Sequence, residues 1–276
     1  MNSNQFESIV RQTIKKYKLF SPKDKIVVAL SGGKDSSTVA HLLKKFGYKF
    51  EGLYIDLGMK GYSDKCYEKI LEPCKELNIK LHVYEVQKEL GGSMCYIRTN
   101  LQNSSQKGLK NCAICGVIKK WILNKKAREL GFDKIVTGHN LDDEAQTVIV
   151  NFLKGSLELG ANAGPKPGQI QDKKFVQRVK PLFFSPEKSV REYAIKNKIP
   201  FHPSSCPCAI DSMRIQTRKW LRDKPEKIKL NVVNNFLSQS KNIQTNASQN
   251  KTLKYCIKCG EPSRNELCRM CRLFEK

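Results

Sequence analysis

Ser31-Gly32-Gly33-Lys34-Asp35-Ser36-Ser37 follows directly on the apolar run Ile26-Val27-Val28-Ala29-Leu30. Two adjacent glycines let backbone amides approach an anion closely. Ser31, Ser36 and Ser37 add hydroxyls, and a helix starting here aims its N-terminal N–H groups at the same point. Lys34 contributes positive charge, and Asp35 is placed to help hold magnesium. The common nucleotide-hydrolase loop needs a different glycine spacing followed by Lys-Ser/Thr. An ordinary Gly-rich turn is the alternative, but the order of strand, loop and helix points to a triphosphate, hence to ATP as co-substrate.

Cysteine spacing carries the second chemistry. Cys112-Ala113-Ile114-Cys115 opens a long helix that also bears Lys119, Lys120 and Trp121, and Cys206-Pro207-Cys208 lies in a turn beyond the last expected strand. A Cys-x-x-Cys pair at a helix N-terminus is expected to have depressed thiol pKa values and to ligate metal or cycle as a dithiol. Three converging thiolates would leave one position of a cluster open for substrate. Cys256-x-x-Cys259 and Cys268-x-x-Cys271 form two knuckles, a strong structural zinc signature. Cys66, Cys74 and Cys95 read as buried, inert thiols, since free Cys packs like a small hydrophobe.

These groups must be positioned by a scaffold. Phe6, Ile9, Val10, Thr13, Ile14 and Tyr17 recur at helical spacing before the first strand. Residues 25–238 then alternate strands (Ile26–Leu30, Phe50–Leu57, Lys80–Val86, Lys134–Thr137, Lys173–Phe184) with helices (Ser36–Phe46, Ser63–Leu77, Cys115–Leu130, Asp142–Lys154, Pro186–Lys198, and Ser212–Ser240 broken at Pro225). The fold class is α/β: a doubly wound, mainly parallel sheet with ligands at the carboxyl ends of the strands. The stretch from Gly91 to Gly108 reads as polar loop, Gly155–Asp172 as a loop able to cover a site, and 239–251 as a linker before a small module at 252–276.

Composition bounds the partners. Lys and Arg number 50 against 26 acidic residues, a formal net charge of +24 spread along the chain. A polyanion is the natural partner, although a solvated Lys-rich surface has the same composition. No stretch reaches the roughly 18 apolar residues of a membrane span and no signal segment is present, so a cytoplasmic location without membrane association is expected. Eleven cysteines in that compartment indicate metal, cluster or redox chemistry rather than disulfides.

The Ser-Gly-Gly-x-Asp-Ser loop resembles that of the PP-loop ATP pyrophosphatases. Cys112-x-x-Cys115-Gly-x-x-Lys119, the decapeptide Gly138-His139-Asn140-Leu141-Asp142-Asp143-Glu144-Ala145-Gln146-Thr147 and Cys206-Pro207 are similar to the motifs of the TtuA-type tRNA 2-thiouridine synthetases. The resemblance implies an adenine nucleotide α-hydrolase-like fold and a [4Fe-4S] cluster on Cys112, Cys115 and Cys206. It further implies catalytic roles for Lys119 and Asp143, which polarise or deprotonate around the activated uridine. Ala29, Ile55 (through its backbone, at adenine), Gly138 and Asp143 complete the nucleotide pocket. Cys208 stands where that family usually has an aromatic residue, and of the family's two terminal zinc modules only the C-terminal motif is present. Asp142 reads as the cap of its helix, and His139 as structural or nucleotide-adjacent.

The expected function is ATP-dependent adenylation of a tRNA uridine O2, followed by sulfur transfer to give 2-thiouridine at position 34 or 54. AMP and pyrophosphate are released. tRNA is the partner, and the resemblance leaves a ubiquitin-like sulfur-carrier protein or free sulfide as the sulfur source. The sequence admits a homodimer without specifying one. Three alternatives remain open at this level: an iron-free thiouridylase working by persulfide, a PP-loop ligase acting on tRNA, and a non-catalytic zinc-containing RNA-binding protein. Arg264, Arg269, Arg272 and Lys276 in the tail suit phosphate contact.

Overall fold

Ile26–Leu30 forms β1, buried on both faces as a continuous apolar run requires. A computed structural model describes residues 2–104, 108–156, 160, 163–168, 172–209, 213–247 and 253–275. In it β1 pairs in parallel with β2 (Glu51–Asp56) and β4 (Lys134–Val136). Outside these lie β3 (Leu81–Glu85) and β5 (Gln177–Val179), giving the all-parallel order β3-β2-β1-β4-β5. Ile26, Val28 and Leu30 join a core with α1 (Ser3–Lys16), α2 (Lys34–Lys45), α3 (Ser63–Glu76) and α8 (Glu187–Lys196). Val27 faces the other way, toward Ala127 of α6 (Asn111–Glu129). The chain leaves β1 toward β2 on one side and returns to β4 on the other. The loops after β1 and β4 therefore part at a switch point, where doubly wound sheets bind ligands.

Several elements differ from expectation. The polar stretch from Gly91 to Gly108 contains α5 (Met94–Asn103), capped by the Ser93 hydroxyl and burying Met94, Ile97, Arg98 and Leu101; α4 (Val86–Leu90) precedes it. α6 begins four residues before Cys115, so that Cys112 lies in its first turn. Only Gln177–Val179 of the stretch Lys173–Phe184 is strand, because the chain turns at Lys180–Ser185 through Phe183 N–H to Lys180 C=O and Ser185 N–H to Leu182 C=O. α7 spans Leu141–Leu153; the last long helical stretch does break at Pro225, into α9 (Met213–Arg222) and α10 (Glu226–Ala247). α10 runs through most of the segment read as a linker. Residues 157–159, 161–162 and 169–171 of the expected covering loop at Gly155–Asp172 fall outside the described residues, as does Lys276. Among the described residues no helix is long and apolar enough to cross a membrane.

The cysteine-rich tail forms a hairpin of β6 (Lys254–Tyr255) and β7 (Pro262–Ser263) followed by α11 (Arg269–Leu273). Met270 and Leu273 pack with the fully buried Ile114, Ile118 and Ile122, one per turn of α6. Buried Glu261 fixes the docking: its carboxylate accepts from Asn124 Nδ2 at 3.0 Å and from the Arg128 guanidinium. Glu261→Ala leaves both donors without this acceptor, and a loss of about 3 kcal/mol in unfolding free energy is expected by denaturant titration. A change below about 0.5 kcal/mol, the range of an ordinary surface substitution, would show that the tail is not anchored this way.

Candidate active site at the carboxyl edge of the sheet

The loop after β1 is shaped from within. Ser36 Oγ lies 3.1 Å from Ser31 N, from Ser31 Oγ and from Gly33 O, so this hydroxyl is occupied in holding the turn. Gly32 has φ +75°, and a Cβ there would lie 2.7 Å from Cys66 Cβ and from Cys66 O of α3. Only glycine combines that conformation with that approach. Ser31 is exposed and Ser37 half-buried, at the entrance to α2, where the first-turn N–H groups lack intrahelical acceptors. Lys34 is engaged by two carboxylates, Asp35 at 3.0 Å and Glu187 at 2.8 Å. Burial works to lower its pKa, but the two carboxylates outweigh it and hold the ammonium charged.

The loop after β4 closes on this turn. A Cβ on Gly138 would lie 2.6 Å from Asp35 C and 2.7 Å from Ser36 N. Asn140, rather than Asp142, caps α7: its side chain accepts from Asp143 N–H while the Asp143 carboxylate accepts from Asn140 N–H, a capping box. Asn140 Nδ2 also donates to Asp35 Oδ1 at 3.0 Å, locking the two loops together. Asp142 is buried instead, bonded to Lys229 Nζ at 2.6 Å and to Glu187 N–H at 2.7 Å. Asp35 and Asp143 repel each other electrostatically, and burial raises the pKa of both, opposed by Lys34 and Arg218 respectively. β1 ends at Leu30 opposite Tyr54, so Ile55 projects past it with one backbone edge outside the ladder with β1; Ala29 lies half-buried before the loop.

Two remote segments bring cysteines to the same edge. Cys115 senses the charges of Lys119, Cys206, Arg98 and Cys112, which places all five groups in one neighbourhood. Burial raises its pKa despite Lys119, contrary to the depression expected of a helix N-terminus. Cys112 is exposed. Cys206 also acts on Cys66 and Tyr62, beside Gly32, and Cys208 stands between Cys206 and Cys95, the latter 3.7 Å distant. Cys95 is thus half-buried against a second thiol rather than inert packing; Cys66 and Cys74 are buried, and burial raises both pKa values.

Positive charge gathers between these parts. Lys120 is surrounded by Arg178, Arg269, Arg214 and Lys180, contributed by β5, the turn after it, α9 and the tail. Among the described residues Lys119, Lys120 and Arg178 have no carboxylate partner. His139, exposed to solvent on one side, has its Nδ1 2.9 Å from Thr137 Oγ1 and lies beside this basin. Desolvation by the surrounding walls, with the like charges of Lys180, Arg214, Arg178 and Lys120, pushes its pKa down. In the unfolded chain a histidine titrates near 6.5. By NMR the His139 ring should stay neutral from pH 8 to 5, and a midpoint above 6 in the free protein would contradict a cation-lined setting.

The profile of the PP-loop domain family matches residues 2–224. A tRNA-5-methyluridine(54) 2-sulfurtransferase of Pyrococcus horikoshii is 36% identical over 98% of this chain and 84% of its own length. The cytoplasmic tRNA 2-thiolation protein 1 of Drosophila ananassae is 32% identical over 98% and 79%. The chain belongs to the PP-loop tRNA 2-thiolation family. Among solved structures, the U34-tRNA thiolase NcsA from Methanococcus maripaludis, with its [4Fe-4S] cluster, superposes with a TM-score of 0.77 at 27% identity, covering 98% of this chain and 86% of that one.

In this member of the family the four tail cysteines place their sulfurs within 4.8 Å of one another, and an ion could be held among them. Among the described residues theirs is the one group of three or more such ligands drawn so close. Cys112, Cys115 and Cys206 share a neighbourhood at wider spacing, as the larger body of an iron–sulfur cube requires. Their all-thiol donor set suits such a cluster, and Lys119 and Arg98 would offset the negative charge of one held there. The sequence reading missed Asn140, Glu187, Arg178, Arg214 and Arg218. Of these only Asn140 had a local signal, the Asn-x-x-Asp box.

Proposed function

We propose that this chain is an ATP-dependent tRNA uridine 2-sulfurtransferase, forming 2-thiouridine at position 54 or 34 with release of AMP and pyrophosphate. One observation carries this reading: a Gly-rich triphosphate loop and thiols from two remote segments meet at one switch point, beneath a basin of cations of which Lys119, Lys120 and Arg178 have no carboxylate partner among the described residues. The names of its relatives supply the substrate class.

The triphosphate lies on the α2 N-terminus, where Lys34 exchanges Glu187 for phosphate oxygens. Ala29 and the open backbone edge of Ile55 receive the adenine. Asp35 offers a hard oxygen ligand to magnesium, which supplies charge neutralisation of the triphosphate. Lys120, Arg178, Arg214 and Arg269 take the tRNA backbone as phosphate contacts. Asp143, its pKa raised by burial, accepts the uridine N3 proton whose loss makes O2 nucleophilic. O2 attacks the α-phosphorus and pyrophosphate leaves. Adenylation turns O2 into a leaving group, so that sulfur adding at C2 expels AMP; Lys119 polarises the activated ring. Cys112, Cys115 and Cys206 would hold a [4Fe-4S] cluster, which supplies an iron open to the sulfur being transferred. The four tail thiolates would hold zinc and fold the tail around it. Sulfur enters as free sulfide or from the thiocarboxylate of a ubiquitin-like carrier.

Anaerobic protein given ATP, magnesium, sulfide and a tRNA lacking the modification should release AMP and pyrophosphate only when tRNA is present. Mass spectrometry of nuclease fragments should locate one 2-thiouridine, at position 54 or 34. Formation of ADP in place of AMP, or absence of 2-thiouridine from both positions, would overturn the assignment.

A further inference from the structure

Cys95 in α5 and Cys208 in the turn after Cys206 come from distant segments, yet their sulfurs lie 3.7 Å apart. Arg98, one turn along α5 and 7% exposed, hydrogen-bonds the Cys208 sulfur, while its Nε has no partner. Among the described residues no carboxylate pairs with it. A buried guanidinium without a carboxylate is costly, and the charges acting on this one are those of thiols: Cys208, Cys95 and Cys115. A cavity of about 280 Å³, lined by Gln102, Leu109, Asn111, Cys112 and Cys208, opens beside the pair. Cys208 is therefore reachable from outside, and Cys95 stands behind it. Asn111 Nδ2, 3.5 Å from Cys208 O, ties the turn to the first turn of α6. Of these residues Cys112, in the cavity wall, and Arg98, beside Cys115, also border the three-cysteine set, while Cys95 and Cys208 belong neither to it nor to the adenylation chemistry.

We infer that Cys208 and Cys95 form a sulfide-generating dithiol, which takes sulfane sulfur from a hydropersulfide in the cavity and releases it as hydrosulfide beside Cys206. The Cys208 sulfur attacks the terminal sulfur of R–S–SH. The S–S bond of the donor breaks, R–S⁻ departs and takes a proton as R–SH, and Cys208 carries a persulfide. The Cys95 sulfur then attacks Cys208 Sγ. The new S–S bond joins the two cysteines, and the electron pair of the broken bond leaves with HS⁻. One sulfane sulfur is reduced to sulfide, two thiols are oxidised to a disulfide, and one proton is lost to water. A small-molecule or protein dithiol resets the pair by reducing the disulfide. Arg98 stabilises the sulfur anion at each exchange. The use made of the sulfide rests on the tRNA-thiolation reading; its generation does not.

Full-length reduced protein, loaded with iron and sulfide, is mixed anaerobically with one equivalent of glutathione hydropersulfide and no tRNA or ATP. About one hydrosulfide per chain is expected, with peptide mapping that finds a Cys95–Cys208 disulfide. Cys95→Ser should stop at the first step, with one added sulfur on Cys208 and hydrosulfide release at least 20-fold lower. Cys208→Ser should give neither product. Both variants, and Cys95→Ala as a second change at that position, should thiolate tRNA as wild type does when free sulfide is the donor and lose at least 10-fold with the hydropersulfide plus dithiol. Added sulfur on Cys112 or Cys115 in place of Cys208, or hydrosulfide release unchanged in Cys95→Ser, would overturn the inference. Thiolation with free sulfide reads the parent assignment separately, because it needs no sulfane acceptor.

Discussion

Cys206→Ala should cut tRNA thiolation supplied with free sulfide by more than 100-fold, with the dissociation constant for ATP held within about 3-fold. Groups that merely orient metal ligands cost roughly 10–100-fold when removed, so a ligand itself should exceed that range. Cys206 faces Cys115 and the loop side, and its loss removes one of three thiol donors while leaving the hydrogen bonds within Ser31–Ser36 intact. Anaerobically purified variant should lack the broad absorption near about 400 nm expected of such clusters, and its iron content should fall to match. Cys208→Ala is the paired control. Its sulfur turns toward Cys95 and Arg98, so iron content and sulfide-dependent thiolation should remain close to wild type. If iron is retained in Cys206→Ala and lost in Cys208→Ala, the third ligand is Cys208 and the two cysteines exchange roles.

Gly138→Ala has the second large effect, and it acts on ATP rather than on sulfur. The added methyl would stand 2.6 Å from Asp35 C, 2.7 Å from Ser36 N and 2.9 Å from Asp35 O. All three are backbone atoms of the phosphate loop, so no side chain can swing aside. The loop after β1 must move by several tenths of an ångström or more, with the amides and hydroxyls that shape it. Misplacement by about 1 Å commonly costs about 100-fold in function. We expect ATP affinity, measured by calorimetry, to weaken by that order and stability to fall by about 1–3 kcal/mol through overpacking. Gly116→Ala tests the specificity of the effect, since a Cβ there meets nothing within 4 Å and the site is helical. It should bind ATP normally and be as stable as wild type or more so. Equal ATP affinity in Gly138→Ala and wild type would refute the close approach of the two loops.

The parts of this fold that could be read from sequence are those whose signal is local. Ile26–Leu30 is unbroken because both faces of a central parallel strand are buried, and the glycines after it follow from the turn they make. The paired spacing of Cys256, Cys259, Cys268 and Cys271 carries its geometry in the chain itself. α5 escaped notice for a physical reason. Its buried positions Met94, Ile97, Arg98 and Leu101 have helical spacing, but one is an arginine and the intervening residues are polar. The strand expected at Lys173–Phe184 was cut to three residues by a turn that apolar Leu182 and Phe183 conceal, since both are buried without being extended. Likewise, His139-Asn140-Leu141-Asp142-Asp143 offers several capping side chains, and the choice of Asn140 depends on its extended backbone (φ −109°, ψ 179°).

The site was legible as motifs but not as an assembly. Lys120, Arg178, Arg214 and Arg269 are brought together from α6, β5, α9 and α11, separations over which composition shows only an excess of charge. The same holds for the thiols. Nothing near Cys95 in the sequence indicates a partner 113 residues away, and the identity of that partner separates Cys208 from Cys206.

α6 gives the molecule a mechanical property beyond its place in the core. Its first five residues include Cys112 and Cys115, while Ile114, Ile118 and Ile122 pack with the tail, and Arg128 near its far end grips Glu261. A tail of this size whose four convergent thiols hold a metal would fold together with it, making metal occupancy and tail folding one equilibrium. The helix is a member of that equilibrium along its whole length. If zinc fills the four thiols as proposed, depleting it would loosen the thiols at the start of the same rod without altering a residue there, and zinc supply would become a thermodynamic input to sulfur chemistry.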